Sequence, residues 1–258
     1  MCYNDNDRPP LPEGSRGPAS TRDLVLTAKD GTRFAAFLAL PQGDPSAEVL
    51  ILPDVRGLHG FYKDLALRFA EIGIATIAMD YFGRTAGLTP RDDSFDFWPH
   101  VAQTRFATIL QDATASLDHL RAQVGQDKAS FTVGFCFGGS NSFLCGTQDL
   151  GLSGVIGFYA GLSRDRGDGT LLDRATQVHV PALGLFGGAD QGIPVEEVQL
   201  FDAKLDEAGV EHDIIIYDGA PHSFFDRRAE EFADASADAW ARVRAFIAAY
   251  AERVPASQ

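Results

Sequence analysis

Short apolar runs and longer stretches of helical periodicity alternate along this chain. TRDLVLT (21–27) and TRFAAFLAL (32–40) flank Lys29-Asp30-Gly31, and an Asp-Gly between two apolar runs predicts a hairpin. EVLIL (48–52) is short, β-branched and apolar after Glu48, the pattern of a buried central strand. Leu65, Phe69 and Ile72 share one face of a helix expected over 62–72; Gly73 ends it, and GIATIAMD supplies the next buried strand. Further strands are expected at 130–135, 154–159, 182–186 and 213–217, with helices at 100–124, 138–148, 195–208 and 227–251. Residues 81–99, rich in Gly, Pro, Asp and aromatics, read as a long excursion, and whether it closes over a pocket as a lid stays open. Phe232, Ala239, Trp240, Val243 and Ile247 form the docking stripe of the last helix. Strand and helix alternate throughout without an internal repeat, which predicts an α/β fold: a mainly parallel central sheet with helices on both faces.

Composition narrows the setting. A chain of 258 residues that is 45% hydrophobic is long enough for one domain, expected over 21–258, behind an N-terminal tail (1–20) whose Pro, Gly and polar content reads as disordered. The net charge of -14, with no block of Lys and Arg, argues against nucleic acid and anionic membranes as partners, and makes an anionic substrate dependent on locally placed arginines. Three cysteines, Cys2, Cys136 and Cys145, form neither a disulfide framework nor a metal-ligand pattern, so a reducing cytoplasm is expected and no cofactor or metal is implied. The opening segment has neither a basic n-region nor an apolar h-region, and no secretion or membrane signal is expected from it.

The strongest chemical signal is Phe131-Thr-Val-Gly134-Phe135-Cys136-Phe137-Gly138-Gly139. A buried strand runs into a sharp turn with glycine two positions before and two after the cysteine, the nucleophile-elbow pattern with Cys in place of Ser. The following helix would point its amides and positive end at the sulfur, favouring thiolate and any oxyanion. Taken alone, such a cysteine could equally be a small buried hydrophobe. Two downstream segments add to it: Leu185-Phe-Gly-Gly-Ala-Asp190 puts an acid after a buried strand, and Ala220-Pro-His222-Ser223 puts a histidine after the next. Nucleophile, acid, histidine is the chain order of α/β-hydrolase triads, with His222 as the base and Asp190 fixing its tautomer. His59, His100, His119, His179 and His212 have no such context. The loop Asp54-Val55-Arg56-Gly57 follows the first central strand, and in this fold backbone N–H groups of Val55 and Phe137 are the expected oxyanion donors. Asp54 could also be a turn former and Arg56 a solvated loop residue.

These motifs resemble the dienelactone hydrolase (carboxymethylenebutenolidase) family from about residue 24 to 247, most specifically in GFCFGG (134–139) and PHSFFDRR (221–228), continued by ADAWARVRAFI (237–247). The resemblance implies an α/β-hydrolase fold and a triad of Cys136, Asp190 and His222. It also implies that Asp54, where the family usually has glutamate, helps to activate the cysteine, that Ser223 matches the family's serine, and that Trp98 lines the pocket. The family's two substrate-clamping arginines are not matched: one position looks like Asp226, with Arg227 beside it, and Arg56, Arg84 or Arg91 would have to substitute. The expected activity is hydrolysis of a small ester or lactone through an acyl-enzyme, by a monomer or homodimer. The alternatives are a hydrolase of other activated acyl or phosphoryl esters, and a non-catalytic ligand-binding or redox-responsive relative in which Cys136 is oxidised.

Overall fold

The turn at Asp30-Gly31 joins β1 (Ser20–Thr27) to β2 (Arg33–Leu40) as an antiparallel hairpin, and Asp30 Oδ1 accepts the Thr32 amide at 2.9 Å to hold it closed. The computed structural model describes residues 8–11, 20–165, 167 and 169–253. Next come β3 (Ala47–Leu52), α1 (Gly60–Glu71), β4 (Ile74–Met79) and two one-turn helices, α2 (Gly83–Ala86) and α3 (Trp98–Val101). They lead into α4 (Phe106–Val124), β5 (Ser130–Phe135), α5 (Phe137–Cys145) and β6 (Gly154–Phe158). The chain continues through α6 (Leu171–Arg174), β7 (Ala182–Gly187), α7 (Val195–Ala208), β8 (His212–Tyr217) and α8 (Ala233–Ala251).

The strands form one sheet in the order β1-β2-β4-β3-β5-β6-β7-β8. The pairs β1/β2 and β2/β4 are antiparallel, and every pair from β4/β3 to β7/β8 is parallel. Every residue of β3, β4, β5, β6 and β7 is buried, which is why their sequences run largely apolar without alternation: both faces are covered. In β3, Val49 and Ile51 join the layer containing Phe61, Leu65 and Phe69 of α1 and Trp240, Val243 and Ile247 of α8. Leu50 and Leu52 face the opposite layer, with Ile109, Ala113, Leu117 and Leu120 of α4. From β3 the chain pairs β4 on one side and then returns to β5 on the other, so the connections diverge between β3 and β5. In such sheets the crevice beyond the carboxyl ends of the diverging strands is where ligands are met.

Four expectations are corrected. The helix expected over 100–124 is two helices: Thr104 Oγ1 caps the Val101 carbonyl at 2.7 Å, and extended Arg105 (φ −131°, ψ 145°) restarts the chain as α4. The last helix starts at Ala233, not 227, because the segment after His222 is wound into turns; Phe232 is the residue preceding that helix. The short helices α2 and α6 lay inside stretches read as loop. Within the expected tail, residues 1–7 and 12–19 lie outside the described residues, but 8–11 rest on the domain: Arg8 Nε is 3.2 Å from Asp64 Oδ2, and Trp240 Nε1 donates to the Pro10 carbonyl at 3.2 Å. No helix of the described residues is long and apolar enough to cross a membrane.

Candidate active site

Cys136 stands where β5 ends and α5 begins, with φ 55° and ψ −110°. That backbone region is costly for any residue with a Cβ, and it persists only where the surroundings over-determine it. Here the surroundings are backbone. A Cβ on Gly134 would meet the Gly138 carbonyl oxygen at 2.0 Å, and one on Gly138 would meet the Leu52 oxygen at 2.0 Å and the Pro53 oxygen at 2.3 Å. The Cys136 amide donates to the Phe158 carbonyl at 3.0 Å, tying the bend to β6. The end of β3 is thereby pressed against the first turn of α5, bringing the segment that leads to Val55 beside the start of that helix. Tyr81 supports this junction: its hydroxyl donates to the Pro53 carbonyl at 2.8 Å, and its ring meets Phe137 edge-on at 5.1 Å. Burial, with Asp54 adding to it, pushes the Tyr81 phenol far up, so it stays a neutral donor.

Asp190 and His222 reach the same end of the sheet from β7 and β8. The loops are stitched by the Gly188 amide on the Tyr217 carbonyl (2.8 Å) and the Ala189 amide on the Ala220 carbonyl (2.9 Å). Asp190 Oδ1 accepts the Gly192 amide at 2.8 Å, while Oδ2 lies 2.6 Å from His222 Nδ1. A carboxylate there fixes the Nδ1–H tautomer and leaves Nε2 as the basic nitrogen. The Asp190 side chain is 3% exposed and that of His222 34%, so the carboxylate is dry and the imidazole is open to a ligand.

Cys136, Phe137, Asp190 and His222 all line one cavity of about 600 Å³. Its apolar wall comes from Phe106 and Ile109 of α4, Leu144 of α5, Leu171 of α6, Ile193 and Phe232; Ser140, Asn141, Gln191, Arg164, Arg227 and Arg228 supply polar groups. Arg228 is held by Glu231 with Nε 2.8 Å from Oε2, whereas Arg164 and Arg227 are exposed cations that pair with no carboxylate of the described residues. The sequence offered no signal for Arg164, which sits in a polar loop, nor for the α4 and α6 walls, which depend on how distant segments pack.

Several residues singled out from the sequence lie outside this lining. Val55 is buried in the same core layer as Phe137. Asp54 is wholly buried: its amide donates to the Tyr62 hydroxyl at 3.0 Å and its Oδ1 accepts the Arg56 amide at 2.8 Å. Arg56 is no solvated loop residue and no pocket cation; it is buried against His59 Nε2 at 2.9 Å and pairs with Asp93. Arg84 is taken up by Asp30 and Asp112, and Arg91 by Asp80 at 2.8 Å, so the substitute arginines hold the 81–99 excursion to the sheet instead of facing a ligand. Trp98 is 58% exposed and packs on Phe97, away from the cavity. His59 caps α1 through the Phe61 amide. Ser223 is buried with φ 61°, starting the tight turns that follow His222.

Those turns carry Asp226 into the interior, 3% exposed, where Tyr159 Oη donates to its Oδ2 at 2.7 Å and the Arg227 amide donates to Oδ1. Burial pushes this carboxyl up to about 8, against the two hydrogen bonds; Asp54 raises it further and His222 lowers it.

Comparison with known proteins agrees with this architecture. The dienelactone hydrolase family model matches residues 34–251. A protein of Methylorubrum extorquens named "Putative carboxymethylenebutenolidase" is 26% identical over 88% of this chain and 80% of its own length. A Klebsiella pneumoniae crystal structure named "Putative Dienelactone Hydrolase" superposes with TM-score 0.80 at 23% identity, covering 90% of this chain and 99% of that one. A dienelactone hydrolase-like promiscuous phosphotriesterase from metagenomic libraries superposes with TM-score 0.75 at 23% identity, covering 91% and 99%. With a family match that takes in both the Cys136 turn and the His222 loop, on an eight-stranded α/β-hydrolase sheet, this chain belongs to the dienelactone hydrolase family of hydrolases.

Proposed function

We propose that this protein hydrolyses small carboxylic esters or lactones with Cys136 as nucleophile, through a covalent acyl-enzyme. The observation that carries the proposal is the convergence on one cavity of a strained Cys136 and an imidazole already tied to a buried carboxylate at 2.6 Å. His222 Nε2 takes the Cys136 proton, Asp190 stabilises the resulting imidazolium, and the thiolate attacks the substrate carbonyl. The oxyanion of the tetrahedral intermediate is held by the backbone N–H of Phe137, which lines the cavity. Collapse expels the leaving alkoxide, which receives the proton from His222. Water, deprotonated by His222, then attacks the thioester, releasing the carboxylic acid and restoring the thiol.

The small molecule that fits is largely apolar around its acyl carbon, given Phe106, Ile109 and Phe137 in the cavity wall, and tolerates negative charge toward Arg164 and Arg227. A reducing compartment such as the cytoplasm suits a free, half-buried Cys136 whose chemistry depends on staying reduced. The test is hydrolysis of short p-nitrophenyl esters together with intact-mass detection of an acyl adduct on Cys136. Turnover abolished in Cys136→Ala and an adduct in the parent support the reading; full activity in Cys136→Ala would overturn it.

A further inference from the structure

A second buried carboxyl group, Asp226, follows His222 by four residues and feels its charge, and the mechanism above makes no use of it. Asp226 is carried inward because Ser223, at φ 61°, turns the chain back so that its carbonyl accepts the amides of Asp226 (3.4 Å) and Arg228 (3.3 Å). Among the described residues no arginine or lysine pairs with Asp226; its two donors are the Tyr159 hydroxyl, at 2.7 Å, and the Arg227 amide. Tyr159 in turn carries the connection to the imidazole. Its ring centroid is 4.9 Å from that of His222, inclined at 55°, and the ring also packs on Phe158, Phe135 and Phe224. Tyr159 also has φ 35°, a conformation a bulky side chain rarely adopts, held in place by its amide on the Leu185 carbonyl at 2.8 Å. Backbone strain of this kind clusters at active sites and ligand clamps.

We propose that Asp226 is a positioning residue for His222: through Tyr159 it fixes the face of the imidazole, and as a carboxylate it supports the imidazolium that stands opposite a Cys136 thiolate. The inference rests on the reading of Cys136 and His222 as a reacting pair. The groups that face Asp226 come from three elements. Asp54, after β3, opposes its ionisation, and His222 on its own loop favours it. Tyr159, after β6, and the Arg227 amide donate to it. Around His222 itself stand Asp190 on Nδ1 and the Tyr159 ring. While Asp226 is neutral, Asp190 alone neutralises the imidazolium. Once Asp226 ionises, a second negative charge is present, and loss of the imidazolium proton moves to higher pH.

The experiment compares the pH dependence of kcat/KM for p-nitrophenyl acetate in the parent, Asp226→Asn and Tyr159→Phe. The expected result is that Asp226→Asn moves the alkaline limb down by about half a unit or more and leaves the acid limb in place. Tyr159→Phe moves it in the same direction, since the carboxylate loses the hydroxyl that supports it. A uniform fall in kcat/KM with both limbs unmoved is what a merely structural residue gives, and overturns the proposal. Should Asp226→Asn fail to fold, NMR titration of the parent's 15N-labelled His222 decides. A second inflection near 8, where Asp226 ionises, supports the proposal, and a single-step titration overturns it. That readout needs no turnover, so its outcome is separate from the fate of the hydrolase reading, which the Cys136→Ala assay settles.

Discussion

His222 Nδ1 lies 2.6 Å from Asp190 Oδ2, although 32 residues separate the two. The contact exists because β7 and β8 pair in parallel from Ala182↔His212 to Gly187↔Tyr217, so both loops leave the sheet at the same end. The Ala189 amide on the Ala220 carbonyl then fixes how closely they approach.

Removing either end of the proton path should be costly. Cys136→Ala and His222→Ala are each expected to lower kcat/KM by about 10⁴-fold or more, and Asp190→Asn by about 10³ to 10⁴, since the amide can hold the wrong tautomer. The three losses should not add: a Cys136→Ala/His222→Ala double variant should be no slower than either single variant by more than about tenfold. Steady-state kinetics on p-nitrophenyl esters measures all of these.

The bend around Cys136 leaves no room at Gly134. Gly134→Ala places a Cβ 2.0 Å from the Gly138 oxygen, a backbone atom that cannot rotate away. The expected cost is at least about 3 kcal/mol of stability, read as a lower urea midpoint with the same m-value.

Arg164 and Arg227 line the cavity without a carboxylate partner among the described residues. Arg164→Ala and Arg227→Ala should each raise KM for a p-nitrophenyl ester with an acidic acyl chain by about threefold to fivefold, the scale of an exposed ion pair. KM for p-nitrophenyl acetate should stay the same, and an equal rise for both substrates would remove these arginines from anion recognition.

Trp98 tests the opposite expectation. Being 58% exposed and packed at a tilt on Phe97 outside the cavity, it should be replaceable by alanine with kcat/KM for p-nitrophenyl acetate within about twofold of the parent.

Asp226 ties stability to pH. Its folded value is raised to about 8 from an ordinary 3.8 because burial penalises the charge, so between those values the folded chain keeps a proton that the unfolded chain has lost. Stability from this group is therefore full below 3.8 and declines as pH rises toward about 8. Asp226→Asn has no proton to lose, so the Tm of the variant minus that of the parent should grow more positive from pH 5 to pH 8. A constant difference across that range would contradict the assigned burial.

The sequence alone ordered the eight strands and the long helices, though not the one-turn helices, because a strand buried on both faces must be largely apolar and a docked helix must repeat its apolar face. It also determined the Cys136 turn, since flanking glycines are what a bend with φ 55° requires. The chain order of Cys136, Asp190 and His222 was likewise legible, each lying just beyond an apolar run. Which side chains share a cavity was set by packing between distant segments. Arg56, Arg84 and Arg91 carry the charge a clamp would need, yet Asp93, Asp30 with Asp112, and Asp80 take them up, because a buried guanidinium must find a carboxylate nearby. Arg164 and Arg227, in loops without apolar pattern, border the cavity instead. The place of Asp226 beside Tyr159, 67 residues earlier, follows from the turns after Ser223 and the pairing of β6 with β7. No local pattern encodes such a meeting, since it is set by how the sheet stacks its loops and not by the residues on either side.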